Sequence, residues 1–265
     1  MIDLNDVAIT YRGGAVGLHP TSIRFEQGQF TILLGSSGAG KSTLLRSLNF
    51  LNRPSAGTIE VEGIGRLGDR RSLQRHRRQT GMIFQGHQLI ERLSALQNVL
   101  VGRLGYHSAL RTLFPLPLDE QCIALECLER VGLAHKALER VDRLSGGQQQ
   151  RVGIARALAQ KPKLMLADEP VASLDPATSQ RVLSLLKTIG REDGLATVVS
   201  LHQVELAQAF ADRVVALAHG RVIFDGRPEQ LTPQLLDEIY NHAGPAPAHT
   251  TAVPIPTFNL DSVGE

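Results

Sequence analysis

Gly35-Ser36-Ser37-Gly38-Ala39-Gly40-Lys41-Ser42 follows the apolar run Phe30-Thr31-Ile32-Leu33-Leu34 and leads into Thr43-Leu44-Leu45-Arg46, and this junction decides the fold. It fits G-x-x-x-x-G-K-[ST] in the context that pattern requires, with a strand before it and a helix after it. The glycines let the backbone curl so that successive N–H groups face phosphate oxygens, and the helix N-terminus adds partial positive charge. Lys41 can reach terminal phosphates, and the Ser42 hydroxyl can ligate Mg²⁺. The chain is therefore read as an α/β protein that cradles nucleotide phosphates.

Working outward, apolar runs and turn residues predict a sheet. Strands are expected over residues 7–11, 23–25, 30–34 and 58–61 around one helix over 41–51. Arg66, Arg70, Arg71, Arg75, Arg77 and Arg78 then crowd a stretch that reads as a solvated helix face, with contact to anionic lipid as the alternative. A further strand follows over 81–84. Between 90 and 143, Ile123, Leu125, Leu128 and Val131 fall at helical spacing, which predicts a helical insertion. Strands over 163–167, 196–201 and 214–218, with a helix over 178–189, restore the pattern of a buried, mostly parallel sheet. The organisation expected is one domain over 1–243, its helical subdomain at about 90–160, and a flexible tail over 244–265 containing Pro245, Pro247, Pro254 and Pro256.

Composition narrows the class. With 265 residues, 42% hydrophobic and 20% charged, the chain can bury a full core, which excludes disorder, collagen and disulfide scaffolds. Its 28 Lys+Arg against 26 Asp+Glu leave a net +2, and aromatics are 4% with no Trp, so no nucleic-acid partner is expected. Cys122 and Cys127 match no metal spacing and are expected to be buried or half-buried thiols in a reducing compartment. The first six residues lack the basic start and apolar run of a signal peptide, and no later run approaches the ~18 apolar residues of a membrane span. A cytosolic chain is expected, with any membrane contact made through a partner.

Two further motifs carry chemistry. Leu164-Met165-Leu166-Ala167 reads as a strand ending in Asp168-Glu169, at the sheet edge where ligands of open α/β sheets sit. There Asp168 would hold Mg²⁺ through its water shell and Glu169 would polarise the attacking water. Leu144-Ser145-Gly146-Gly147-Gln148 opens a second helix with an anion-binding N-terminus. The γ-phosphate at Lys41 already has a cradle, so this second site is read as facing the nucleotide of another copy.

Taken in order, residues 35–42, Gln85, residues 144–148, Asp168-Glu169, Ser173-Leu174-Asp175 and His202 resemble the Walker A, Q-loop, signature, Walker B, D-loop and switch histidine of ATP-binding-cassette ATPases. The resemblance covers the chain to about Asn241 and implies a P-loop ATPase fold: a mostly parallel core sheet, an N-terminal antiparallel β subdomain and a helical signature subdomain. It implies ATP held by Tyr11 against adenine, by Gly35, Ser36, Ser37, Gly38, Ala39, Gly40, Lys41, Ser42 and Thr43, and by Ser145, Gly146, Gly147 and Gln148 of a second subunit. Glu169, His202 and Gln85 would be catalytic, and Ser42, Gln85 and Asp168 would serve Mg²⁺. A homodimer, an integral permease, an external solute-binding protein and a place on the cytoplasmic face of the inner membrane come with the resemblance.

Wording outside the reaction centre is similar to the ATPase subunits of bacterial phosphonate importers: Arg92-Leu93-Ser94-Ala95-Leu96, residues 99–105, residues 167–176, and Ser200-Leu201-His202-Gln203-Val204-Glu205. A subunit for phosphate or amino-acid import, an exporter cassette and a soluble cassette protein of repair or translation are the rivals. A small-molecule kinase shares only residues 35–42.

Overall fold

The computed structural model describes residues 1–86, 88–108, 111 and 114–241. In chain order the strands are β1 (Ile2–Thr10), β2 (Val16–Phe25), β3 (Phe30–Leu34), β4 (Ala56–Val61), β5 (Gly65–Arg66), β6 (Thr80–Ile83), β7 (Leu164–Asp168), β8 (Ala196–Leu201), β9 (Arg213–Ala218) and β10 (Arg221–Gly226). The helices are α1 (Lys41–Leu48), α2 (Arg70–Arg78), α3 (Ala95–Val101), α4 (Leu118–Arg130), α5 (Gly146–Leu158), α6 (Pro176–Glu192), α7 (Val204–Phe210) and α8 (Pro233–Asn241).

Two sheets result. One has four strands in the order β2-β1-β4-β5, and its pairs are antiparallel. The other has six in the order β10-β9-β3-β8-β7-β6, parallel throughout except for β10 against β9. β3, β7 and β8 are buried at every position, as continuous apolar runs covered on both faces should be. Their registers pair Leu34 with Leu201 and Asp168 with Ser200, so the three C-terminal ends meet at one edge. That edge is where the phosphate loop emerges.

The expected helix over 41–51 stops at Leu48, because Asn49 caps it and Phe50 turns to a left-handed φ of 52°. α2 carries the arginine run outward and turns Leu73 and His76 inward. Asp69 caps it by accepting the Ser72 N–H at 2.7 Å. In α4 the buried stripe is Glu120, Ala124, Cys127 and Leu128, so Leu125, expected inward, is exposed. Leu125 lies about 100° round the helix from Ala124, which is fully buried in the core cluster that holds Ala95 and Val99 of α3 and Val152 of α5. Cys122 is likewise exposed, against expectation. Cys127 is buried, and burial pushes its thiol up to about 11, which leaves it unreactive. α6 begins two residues before the expected 178, at a Pro after the Asp175 cap. β10, α7 and α8 carry no periodic signal strong enough to be foreseen. Residues 244–265, expected as a tail, lie outside the described residues. No described helix is long and apolar enough to cross a membrane.

Candidate functional site

β3 delivers the phosphate loop at the sheet edge. Gly40 has φ 104°, and a Cβ there would stand 2.9 Å from the Gly17 carbonyl oxygen, so both handedness and space require glycine. Lys41, only 4% exposed, folds back to donate Nζ hydrogen bonds to the carbonyls of Gly35 (2.8 Å) and Ser36 (2.9 Å). Burial lowers its pKa, opposed by the nearby carboxylates of Glu169 and Asp168. Lys41 and Glu169 border a cavity of about 390 Å³ lined also by Tyr11, Gly17, the rest of residues 37–43 and Gln85.

The carboxylates occupy the positions their strand predicts. Asp168 closes β7 at 1% exposure. Its Oδ1 accepts from Ser42 Oγ (2.7 Å) and Ser200 Oγ (3.0 Å), and its Oδ2 pairs with Arg46 Nη2 at 3.3 Å. Glu169 turns away with φ 46°, a left-handed conformation uncommon outside glycine, asparagine and aspartate. This turn lets two successive residues serve one site. Its Oε1 lies 3.9 Å from Lys41 Nζ, and its Oε2 accepts from Gln85 Nε2 at 3.4 Å. Ser42 Oγ and the Asp168 carboxylate, 2.7 Å apart, are oxygen donors of the kind that suits a hard divalent cation, while the contact Gln85 makes here is with Glu169.

Tyr11 stands at the cavity mouth, 44% exposed, with its hydroxyl 2.8 Å from Thr43 Oγ1. His202 follows β8 at the same edge and is exposed. Its ring makes no hydrogen bond to Glu169 among the described residues, while its carbonyl accepts the Tyr240 hydroxyl at 2.8 Å. Burial pushes the Tyr240 phenol up to about 12, which keeps it a donor.

The second glycine-rich motif is not brought to this cavity. Ser145 caps α5, accepting the Gln148 N–H at 3.4 Å while its own N–H donates to Gln148 Oε1 at 3.0 Å. Gly147 lies against α6, where a Cβ would meet Thr178 Cγ2 at 2.6 Å. Residues 145–148 line a separate cavity of about 750 Å³ with Arg130, Arg151, Ser173, Asp175 and Arg181, and the two cavities share no lining residue.

The sequence profile of the ABC transporter family matches residues 18–172. The chain belongs to this family. It is a transport ATPase that binds ATP. The phosphonates import ATP-binding protein PhnC 3 of Nostoc sp. is 59% identical over 243 residues, covering 92% of this chain and 93% of that protein. The phosphite import ATP-binding protein PxtA of Stutzerimonas stutzeri is 59% identical over 255 residues, covering 96% and 92%. Among solved structures, the dimeric post-hydrolysis state of the ATP-binding cassette MJ0796 bound to ADP and Pi is 34% identical with a TM-score of 0.75, covering 87% of this chain and all of that one.

Arg46, Ser200 and Tyr240 escaped the sequence reading. Arg46 stands four residues after Ser42, one turn along the same helix face, and that spacing could have placed it. Ser200 is a hydroxyl inside an otherwise largely apolar strand and needs a partner. Tyr240 reaches the site through tertiary contact alone.

Proposed function

We propose that the chain is the ATP-hydrolysing, energy-coupling subunit of a phosphonate importer, acting as a homodimer on the cytoplasmic face of the inner membrane. The observation that carries this reading is the separation of the phosphate loop from residues 145–148. Each ATP would be enclosed only when the loop of one copy meets the signature of the other. The dimeric form of MJ0796 supports it. The names of the similar proteins support the cargo, and phosphite is the second reading because PxtA is similar to the same degree.

In this account Lys41 leaves its loop carbonyls for the β- and γ-phosphates, and the backbone N–H groups of residues 38–42 hold the phosphate oxygens. Tyr11 stacks on adenine. Ser42, Asp168 and Gln85 would hold Mg²⁺, which would neutralise phosphate charge. Glu169 takes the proton of the attacking water, and Gln85 orients that water and passes the state of the site to the permease. His202 steadies the γ-phosphate side once the partner closes, which the exposed ring is free to do. Residues 85–86 and 88–98 lie between the sheet and the helical region, where a permease helix would dock and move with closure. A solute-binding protein would supply the cargo from outside.

The test is a reconstituted complex with its permease and binding protein. Alkylphosphonate on the binding protein should stimulate ATPase activity more than inorganic phosphate does, and phosphite is assayed beside them. Stimulation by phosphite alone selects the second reading. Stimulation by a polar amino acid and by neither phosphorus compound would sink both cargo readings and leave the ATPase standing.

A further inference from the structure

The hydroxyl of Ser200 joins the Asp168 carboxylate to the backbone N–H of Glu169. It belongs to β8, the strand between β3 and β7, and is fully buried. Because β7 and β8 are parallel and in register at Asp168 and Ser200, the two side chains project to the same face. The hydroxyl has one proton and two lone pairs. Asp168 Oδ1, 3.0 Å away, can only accept, and the Glu169 N–H, 2.9 Å away, can only donate, so both roles are assigned. Thr197, on the same strand, shows the contrast: its buried Oγ1 has no partner among the described residues.

We propose that Ser200 is a positioning residue for hydrolysis, a reading that rests on Glu169 being the base. The peptide between Asp168 and Glu169 carries the left-handed turn, with Glu169 at φ 46°. Such a conformation persists only where its surroundings hold it. Ser200 holds it from the strand side by taking the Glu169 N–H, and so sets the direction in which the Glu169 side chain leaves the backbone. The same hydroxyl keeps a donor on Asp168 Oδ1. The other donor on that oxygen, Ser42 at 2.7 Å, is the one that would turn to the metal, so Ser200 would be left to fix the carboxylate. Removing the hydroxyl leaves a half-buried N–H without this partner and lets the turn relax. Glu169 would then drift from Gln85 and Lys41, while the phosphate loop stays intact.

The experiment compares wild type, Ser200→Ala, Ser200→Thr and Glu169→Gln in the complete transporter complex. It reads kcat and KM for ATP, and, on the full chain, the thermal midpoint and the ATP-driven dimerisation of the subunit. Ser200→Ala should lower kcat about tenfold, the worth of one or two buried hydrogen bonds. KM and dimerisation should stay within about twofold, and Ser200→Thr, which keeps the hydroxyl, should recover most of the rate. If Ser200→Ala does not fold, Ser200→Cys fills the site with a somewhat larger side chain whose thiol is only a weak hydrogen-bonding group, and the same loss of rate is expected of it. A Ser200→Ala enzyme with kcat within twofold of wild type would overturn the proposal. So would Ala and Thr variants that lose rate equally and in step with their thermal midpoints. Near wild-type turnover in Glu169→Gln would instead remove the base assignment on which the proposal rests, so the two failures are told apart.

Discussion

The chain contains two glycine-rich helix starts that look alike in sequence and differ in every contact they make. At α1 the loop wraps a buried lysine, two carboxylates face it, and the backbone is strained at Glu169. At α5 the N-terminus is closed by its own capping box, with cations around it and no buried lysine. The far ends differ too. The Leu48 carbonyl at the end of α1 accepts from His76 Nε2 at 2.7 Å, whereas the Ala159 carbonyl beyond α5 accepts from Arg103 at 2.7 Å, and Arg103 is itself paired with Glu120. The first start is built for charge to arrive and react. On the proposed reading the second would receive an anion without supplying chemistry, and a complete site would need one of each.

The contrast breaks most completely when the lysine is removed. Lys41→Ala should lower ATP affinity by about 10- to 100-fold, the scale of a charge-assisted hydrogen-bonding group, measured by equilibrium binding to the purified subunit. Retained affinity would mean that the loop backbone suffices. Glu169→Gln separates binding from chemistry: turnover should fall by at least about a hundredfold with ATP affinity nearly unchanged, and a long-lived ATP-bound dimer should collect on gel filtration. Loss of binding together with turnover would place Glu169 in the cradle.

Two smaller effects sharpen the contrast. Tyr240→Phe removes the donor to the His202 carbonyl and should cost about 1 kcal/mol of stability, read by denaturant melting, with a modest fall in kcat. An unchanged kcat would detach α8 from any role of His202 in turnover. The smallest concerns pH. Burial lowers the His76 pKa below its usual 6.5, so the folded chain resists a proton that the unfolded chain accepts. Stability from this group is present above about pH 6.5 and is lost as pH falls below it through the folded value. Thermal midpoints between about pH 7.5 and 5.5 should therefore slope less in His76→Gln, which keeps a donor for Leu48 and cannot titrate. An equal slope would mean other groups govern that window.

What could be read beforehand follows the same division. The phosphate loop, the strands β3, β7 and β8, and the strand-end placement of Asp168 and Glu169 were legible because continuous apolar runs meet glycine or charge there, and the physics is local. The partners of Asp168 were not, since Ser200 is 32 residues away in sequence and meets it only through parallel strand register. The inward stripe of α4 was misread at Leu125 because helical spacing permits more than one apolar face, and tertiary contact chose the one with Ala124 and Cys127. The separation of the two helix starts was inferred from surplus, one cradle too many for one nucleotide, and the two distinct cavities agree with it.

The central claim, that a whole site is made by two copies, is tested most directly by counting trapped nucleotide in a mixed dimer. One chain carries Ser145→Arg and the other Lys41→Ala, both in the Glu169→Gln background that retains ATP. If loop and signature come from different copies, both lesions fall on one site and the other stays whole, so each heterodimer should hold one ATP through gel filtration while neither homodimer holds any. A heterodimer as devoid of trapped ATP as its homodimers would contradict the account, because it would mean that each chain completes its own site.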